Sequence, residues 1–319
     1  MTLLFYDFDF NTVFVETRII TSRWTVCYND VGNFEAHLPL SSDALDVILE
    51  NRYLVAVQNG LSAIVVGYEL GDELIIYGRT CNWLLSKRLA PIFSQVSGPL
   101  GELCANFALS AFSDVENFSL GTVQNGDEAQ IKGQETDAET LIKKSLANQN
   151  MGHSISFDIK NKSWVFEVTK GKDSDIIFSE ANKNAYNLRL SSDILDFANC
   201  GYYTQNTANG KERIYIKSDD KKEGIYRWEK QLSSDNAEDA EIELSNAKID
   251  NEVTLNVKNA LFRKDYNLGD VVRVQIIKGK HKNTVKKRIV GVEIKYSQNV
   301  SYEMPIFDDI KEIGGDILE

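Results

Sequence analysis

The residues that most often carry out catalysis are sparse in this chain. Three histidines occur, at His37, His153 and His281, and none has an aspartate and a nucleophile beside it in a known arrangement. The sequence also lacks the G-x-S-x-G, P-loop, G-x-G-x-x-G, H-E-x-x-H and EF-hand patterns. These features predict that the chain is not an enzyme and has no catalytic residues, although a triad assembled from residues far apart in sequence stays open at this point.

The cysteines also lack the pattern of a functional site. None belongs to a C-x-x-C pair or lies near a cluster of histidines, and the four are Cys27, Cys81, Cys104 and Cys200. Scattered cysteines of this kind are typical of buried free thiols rather than of metal ligands. The sequence therefore predicts neither a metal site nor a cofactor.

Charged residues at two places are candidates for ligand binding. Asp7 and Asp9 alternate with phenylalanines and could hold a cation, but the alternation favours solvent-facing positions in a strand. Residues 278–288 contain five lysines, Arg288 and His281 and no carboxylate. This basic hairpin could contact DNA phosphates, whereas a solvated hairpin end or a contact with an acidic neighbouring subunit is the favoured interpretation. Its tip has no aromatic residue on which a base could stack.

Composition predicts a folded, soluble protein of two or three packed units. The chain has 319 residues, of which 43% are hydrophobic and 26% charged, and its net charge is -12. Such acidity argues against a nucleic-acid binder that depends on a global positive field. The N-terminus lacks a basic segment before an apolar run, and no run reaches the length of a membrane helix. We therefore expect no membrane insertion.

The hydrophobic pattern predicts a β-rich α+β protein. The dipeptide Asn59-Gly60 separates two apolar runs, 53–58 and 61–68, and predicts a hairpin that continues into a third strand at 73–77. Helical spacing follows at 81–89 and 100–111, and a capping box at Thr136 to Glu139 predicts another helix. An acidic stretch at 235–244 predicts a further helix. A last hairpin should pair 271–277 with 285–296.

A short repeat suggests how the chain is divided. Leu38–Asp46 and Leu188–Asp196 share seven of nine residues, and each is expected to run from a strand into a capped helix. A duplication would explain this match, and chance similarity of a common helix cap is the alternative. We predict a first β-rich unit at 1–80, a mostly helical insertion at 81–150, a second β-rich unit at 151–305 and an acidic tail at 306–319.

Four stretches resemble the tail hub proteins of bacteriophages and phage-tail-like particles, in particular the siphophage tail hub family. They are Phe34–Asn51, Gly78–Arg88, Tyr186–Tyr203, and Asp265–Val272 with its partner Arg288–Tyr296. The last includes a Tyr-x-Leu-Gly-Asp-Val-Val turn, in which Gly269 supplies a positive φ and Asp270 accepts backbone hydrogen bonds. The similarity covers roughly residues 1–305, so the acidic tail falls outside it.

The resemblance implies a structural protein with two tube-like β-barrel domains, one in each β-rich unit. Three such chains would form a homotrimeric ring with pseudo-sixfold symmetry that joins the tail tube to the central spike. The implied partners are further copies of the chain, the tail tube protein, the spike or tip protein and other baseplate proteins, with DNA passing through the lumen. The implied location is the baseplate or tail tip of a virion or bacteriocin, assembled in the host cytoplasm. The resemblance does not distinguish a contractile phage, a long-tailed phage and a bacteriocin.

Two other functions stay open at this point. The first is a cell-wall hydrolase of the tail tip. The second is a receptor- or carbohydrate-binding module that uses the surface aromatic residues Trp83, Trp164 or Trp228. The apolar surroundings of these three tryptophans instead favour packing in cores or at subunit contacts.

Overall fold

A computed structural model describes residues 1–133, 135–207, 210–218, 223–234, 236–297 and 301–308. The chain forms two compact units. Unit 1 contains Met1–Leu188 and the chain from Thr254 onward, and unit 2 contains Arg189–Val253. These boundaries differ from the predicted ones at 80, 150 and 305, and the division into two barrel domains stays a prediction. Of the predicted acidic tail, residues 309–319 lie outside the described residues.

The first eighty residues form strands where alternation predicts them. They are β1 (Leu3–Asp7), β2 (Thr12–Glu16), β3 (Thr21–Cys27), β4 (Asn33–Leu38), β5 (Leu54–Gln58), β6 (Leu61–Leu70) and β7 (Leu74–Thr80), with helix α1 (Ala44–Glu50) after β4. The predicted meander of β5, β6 and β7 is confirmed. Asn59 and Gly60 have φ values of +50° and +77°, and this two-residue turn needs positive φ at both positions.

Residues 81–150 combine helices with short strands. A 3₁₀ helix (Cys81–Lys87) is followed by β8 (Gln95–Pro99), α2 (Leu100–Ala111), β9 (Phe118–Val123), β10 (Glu128–Lys132) and α3 (Ala138–Ala147). The helix at 100–111 is confirmed. The cap of α3 is Asp137, whose carboxylate accepts a hydrogen bond from the Thr140 amide at 2.9 Å, rather than Thr136. β9 and β10 fall in a stretch that the sequence leaves irregular, because their partner strands β12 and β8 lie elsewhere in the chain.

The rest of the chain is again mainly strands. They are β11 (Met151–Asp158), β12 (Ser163–Lys170), β13 (Asp173–Phe178), β14 (Ala185–Asp193), β15 (Cys200–Thr207), β16 (Gly210–Lys217), β17 (Glu229–Gln231), β18 (Asp250–Val257), β19 (Val271–Lys278), β20 (His281–Ser297) and β21 (Ser301–Asp308), with helix α4 (Ala237–Asn246) before β18. The predicted hairpin of β19 and β20 is confirmed, as is the helix in the acidic stretch.

The two copies of the repeat fold differently. The first copy runs into α1 as predicted, where Ser42 accepts a hydrogen bond from the Ala44 amide and donates one to the buried carboxylate of Glu16. The second copy stays extended through Asp193, whose carboxylate accepts a hydrogen bond from the Leu195 amide at 3.1 Å. The predicted second helix is therefore wrong, because tertiary partners decide how a Ser-Ser-Asp sequence is used.

The main sheet of the described residues has 13 strands and joins both ends of the chain. Its order is β14-β18-β21-β20-β3-β4-β7-β6-β5-β1-β2, with β19 on β20 and β13 on β19. The junction is the antiparallel pairing of β20 with β3, in which Ile294 lies opposite Trp24. The structure confirms a β-rich fold. The path of the sheet ends at β14 and at β2, so the tube-like barrels stay a prediction.

The smaller sheets and the helices of unit 1 enclose a core of their own. β11, β12 and β9 form one three-stranded sheet, and β10 pairs with β8. Residues from α2, α3 and these strands pack into one buried cluster with residues of β1 and β5. Phe10, Phe157 and Trp164 lie inside it, with the rings of Phe10 and Phe157 stacked at 4.2 Å. Among the described residues, no helix is long and apolar enough to cross a membrane.

Unit 2 has a small core. β15 lies between β16 and β17 in a three-stranded sheet, and α4 packs against β15. The buried residues of this core are Ala198, Tyr203, Leu232, Ala240, Leu244 and Ala247. Its helix begins at an Asn236 cap that accepts a hydrogen bond from the Asp239 amide.

Candidate interaction surfaces

The histidines occupy three unlike environments. His37 lies on β4 between two glutamates, with 2.8 Å from Nδ1 to Glu73 and 2.9 Å from Nε2 to Glu35. Burial by itself lowers the pKa of His37, but the hydrogen bonds to these two carboxylates outweigh it and raise the pKa. His281 is exposed at the end of the basic hairpin. Within the described part of the chain, neither histidine is hydrogen-bonded to a hydroxyl or thiol nucleophile.

His153 belongs to a buried polar cluster between β11 and α3. Its Nε2 lies 2.8 Å from Glu139 Oε2, and its Nδ1 lies 2.9 Å from Asn29 Oδ1. Asn82 connects the same strand to the 3₁₀ helix, since its Oδ1 accepts from the Ile155 amide at 2.7 Å and its Nδ2 donates to the Asp30 carbonyl. Because these side chains are hydrogen-bonded to several neighbouring elements, the cluster fixes the helical segment on the sheets.

All four cysteines are free, and the thiols of three of them are poor nucleophiles. Burial raises the pKa of Cys27 to about 11 and that of Cys81 and Cys104 to about 12. A thiol with such a pKa is almost entirely protonated at neutral pH and is a poor nucleophile or metal ligand. In the described part of the chain, no group of three or more histidine, cysteine or acidic side chains is arranged to hold a metal.

The N-terminal aspartates shape a turn. Asp7 ends β1, and its carboxylate accepts hydrogen bonds from the Asp9 amide at 3.0 Å and the Asn11 amide at 2.8 Å. Burial alone raises the pKa of Asp7, but the hydrogen bonds from the Asn11 side chain and from the backbone outweigh it and lower the pKa. The carboxylate is used inside the loop, where it also accepts from the Asn11 side chain, and is not directed at a cation.

The basic hairpin is partly neutralised by acids of unit 1. Lys278 Nζ lies 2.7 Å from Glu180 Oε1, and Lys286 Nζ lies 3.5 Å from Asp173 Oδ2. Lys287 is buried, and the Arg288 guanidinium donates to the Gly269 carbonyl at 2.8 Å. Part of the positive charge predicted here is therefore paired or buried, although the side chains of Lys278 and Lys286 are still 51% and 54% exposed.

The hairpin projects beyond its neighbouring strands. β13 pairs with β19 no further than Val274, and β21 pairs with β20 only from Arg288 onward. Every residue from Ile277 to Thr284 is exposed. The turn has Gly279 at φ +59° in its first position, as a tight two-residue hairpin of type II′ requires. The result is a two-stranded ribbon with a cationic end.

An apolar cavity of about 240 Å³ lies beside the ribbon. The residues that line it come from the loop after β13, from β14 and from β19, and they are Ser179, Glu180, Ala181, Leu188, Gln275 and Ile277. Its one carboxylate, that of Glu180, is held by Lys278. The cavity therefore offers an apolar recess next to a basic rim.

One face of the main sheet is polar. The side chain of Arg23 on β3 is hydrogen-bonded to that of Glu293 on β20, and the side chain of Arg79 on β7 to that of Asn33 on β4. His37 with its two glutamates belongs to the same face, because side chains two residues apart in a strand point to the same side. The opposite face carries buried residues such as Trp24 and Phe34, whose rings lie 4.3 Å apart.

Unit 2 presents an apolar surface that sequence reasoning missed. Leu195 is 88% exposed and Ile225 is 87% exposed. The same unit contains Phe197 and Trp228, whose rings meet edge to face at 5.7 Å. The signal in the sequence was Trp228, which was expected in a core or at a subunit contact and is 40% exposed in the single chain. By contrast Trp164 is buried, as expected.

A row of tyrosines and cations lies on the sheet of unit 2. The rings of Tyr202 and Tyr215 are 5.0 Å apart, and the Arg227 guanidinium lies 4.8 Å from the Tyr215 ring. Arg227 also donates to the Tyr202 hydroxyl at 2.6 Å. Tyrosine, tryptophan and arginine are the residue types most enriched at the energetic centres of protein interfaces. The sheet of unit 2 therefore carries residue types that are common in protein interfaces.

The fold is that of phage tail proteins. The tail protein of Neisseria meningitidis MC58 matches with a TM-score of 0.60 at 11% identity, over 97% of this chain and 96% of that chain. The 43 kDa tail protein of prophage MuSo2 from Shewanella oneidensis matches at 0.59 and 10% identity, over 97% and 98%. The prophage tail protein gp18 from Listeria monocytogenes EGD-e matches at 0.54 and 15% identity, over 98% and 96%. At these identities the likeness shows the fold alone.

The sequence itself identifies the family. Residues 111–306 match the family model described as Siphovirus ReqiPepy6 Gp37-like protein, and the chain belongs to that family. No curated protein matches the chain in sequence. The resemblance to siphophage tail proteins is thereby confirmed, and the family and the fold both support a structural role in a phage tail.

Proposed function

We propose that this protein is the structural hub of a phage tail or phage-tail-like particle. Three copies form a ring that joins the tail tube to the central spike, and each copy supplies two tube-like β domains, so that the ring is pseudo-sixfold. The ring has no catalytic task, since its work is to connect a sixfold tube to a threefold tip.

The pairing of β3 with β20 is the observation that carries this proposal. It places strands from the two ends of the chain side by side in one sheet, with seven pairs in register from Thr21 opposite Ser297 to Cys27 opposite Gly291. The sheet thus contains two groups of strands from one chain, one on the β20 side of this junction and one on the β3 side. Three chains around an axis would supply six such groups, the number that a match to a sixfold tube requires.

The polar face of the main sheet suits the wall of a lumen. Its charged groups alternate in sign, with Arg23 beside Glu293 and His37 between two glutamates. The chain as a whole has a net charge of -12. Acidic surfaces repel DNA, and only clusters of basic side chains bind it, so such a wall would let DNA pass without binding it.

Electron microscopy of purified particles tests the proposal. We expect three copies of the chain in a ring at the distal end of the tail tube, with native mass spectrometry of the dissociated tip giving a trimer. Finding the chain in the sheath or the capsid, or in a copy number that is not a multiple of three, would overturn it.

A second candidate is a receptor- or carbohydrate-binding module of the tail tip. The exposed aromatic surface of unit 2 favours it, because Tyr226 and Trp228 present ring surface to solvent. Binding of the purified chain to host cells separates the two functions. A receptor-binding module should adsorb to cells by itself and lose adsorption on Trp228→Ala, whereas a hub should not adsorb without the rest of the tip.

A further inference from the structure

We propose that the basic hairpin (278–288) of one copy docks on an acidic and apolar surface around helix α1 of a second copy. This surface, the α1 surface, consists of Asp46, Leu49, Glu50 and Tyr53. The inference rests on the proposed ring, because a closed ring of identical chains needs two different surfaces that complement each other. It goes beyond the ring in naming those surfaces.

The hairpin contributes charge and shape. Lys280 and Lys282 are exposed, and within the described residues neither makes an ion pair, whereas Lys278, just before the turn, is held by Glu180. Beyond Val274 the described part of the sheet consists only of the two paired strands β19 and β20. It can therefore lie against a neighbouring molecule without disturbing the sheet behind it.

The cavity beside the ribbon gives the contact an apolar centre. Ile277 is 45% exposed at its edge, and Leu188 and Ala181 form part of its wall. A protein partner that fits here needs an exposed apolar side chain with carboxylates next to it. Charged groups around a buried apolar centre are the usual arrangement of specific interfaces.

The α1 surface has that combination. Leu49 in the helix is 62% exposed, and Tyr53 in the bend between α1 and β5 is 63% exposed, so two large apolar side chains lie uncovered here. Asp46 and Glu50 lie three residues before and one residue after Leu49, and the 46–50 spacing places both carboxylates on one face of the helix. Arg52, beyond the end of the helix, is the first base after the acids.

The tyrosine of this surface is held in place by its own chain. The ring of Tyr53 packs against that of Phe8 at 5.5 Å, and this contact holds the exposed side chain in one position. A side chain that is already ordered loses little entropy on binding. Tyr53 therefore contributes to the α1 surface at a low entropic cost.

Position in the sheet favours a second copy over the same one. α1 follows the end of β4, where His37 lies opposite Thr21 of β3, and Thr21 lies opposite Ser297 at one end of β20. The turn of the hairpin adjoins His281 at the other end of β20, and the 17 residues of this strand span about 50 Å. Both surfaces remain exposed within one chain, which leaves each free for a neighbour.

Charge reversal and its rescue test the contact. Lys280→Glu with Lys282→Glu reverses the hairpin, and Asp46→Lys with Glu50→Lys reverses the α1 surface. Each pair should weaken self-association of the full chain by about tenfold at low salt, since attraction at the two pairs becomes repulsion. The chain with all four substitutions should associate within about threefold of the parent, because its reversed surfaces again complement each other.

Sedimentation velocity at low and high salt measures the effect. The difference between parent and reversed chains should shrink in about 0.5 M salt, which screens exposed charges. Matched controls reverse exposed charges elsewhere in unit 1: Lys132→Glu with Lys144→Glu, and Glu102→Lys with Glu128→Lys. These should leave association unchanged. Equal losses in the controls, or no rescue in the fourfold variant, would overturn the proposed contact.

Cross-linking decides the case in which the purified chain associates too weakly for sedimentation. Chains carrying Lys282→Cys are mixed with chains carrying Glu50→Cys under mild oxidation, and a disulfide should join the two kinds of chain. Mixing Lys132→Cys with Glu50→Cys is the control. An absence of the specific link would refute the contact, and a trimer at the tail tip seen alongside that absence would leave the hub function standing.

Discussion

The buried cluster around His153 gives the sharpest test of how unit 1 is held together. Asn29 Nδ2 donates to the Lys143 carbonyl at 2.9 Å, so its Oδ1 is the acceptor that faces His153. Nδ1 of His153 must therefore carry a proton and donate it. A further proton lies between Nε2 and Glu139 Oε2, which are 2.8 Å apart. Both side chains are buried.

Two substitutions of Glu139 should differ strongly. Glu139→Ala leaves the imidazole without its partner inside the protein and should lower the free energy of unfolding by about 3–5 kcal/mol. Glu139→Gln should cost only about 1 kcal/mol, because its amide group can donate to Nε2 of a neutral imidazole and replaces one hydrogen bond by another. The second oxygen of Glu139 has no hydrogen-bond partner, so the glutamine loses nothing on that side.

Urea unfolding followed by tryptophan fluorescence measures both changes. A Trp228→Phe background removes the tryptophan of unit 2, so that Trp24, Trp83 and Trp164 report on unit 1. If Glu139→Ala were within about 0.5 kcal/mol of the parent, or if glutamine were as harmful as alanine, the proton assignment would be wrong.

Three further outcomes follow from the structure. Because the pKa of His37 is raised, its ion pairs stabilise the fold at pH values below 6.5, the ordinary pKa of histidine, and this contribution is lost as the pH rises through the folded pKa. His37→Gln should accordingly lower the melting temperature near pH 6 and leave it unchanged at a pH well above the folded pKa. Gly152→Ala should destabilise by about 2 kcal/mol in chemical unfolding, because its new methyl group would lie 2.4 Å from the Tyr28 ring, whereas Gly71→Ala has open space and should have no effect. Cys104, with a pKa of about 12, should resist thiol reagents at pH 8 until the protein is unfolded, and rapid labelling of the native protein would contradict its burial.

Much of the fold was predictable because it depends on neighbours in sequence. The turn at Asn59-Gly60 needs only the tolerance of these two residues for positive φ, and helix α2 needs only its apolar spacing. The basic hairpin was predictable for the same reason, with its strands joined by two residues. The family resemblance was also readable from short stretches, and the match at 111–306 supports it.

The candidate surfaces were less predictable. The basic character of the hairpin is visible in the sequence, but the neutralisation of Lys278 and Lys286 by Glu180 and Asp173 depends on the parallel pairing of β13 with β19. The exposure of Leu49 depends equally on what the rest of the chain leaves uncovered. A residue's type gives its chemistry, whereas its accessibility is a property of the packed molecule.

The sequence by itself determined the class of elements, the charge of the surfaces and the absence of known catalytic motifs, because these depend on residue types and short spacings. Only the tertiary structure decided that β3 pairs with β20, since a strand's partner is chosen by packing and not by its own alternation. It also decided that Ser-Ser-Asp ends in a helix at Ser42 but stays extended at Ser192. At the first site Glu16 is in place to accept the serine hydroxyl, and that long-range partner is what the nine-residue repeat could not encode.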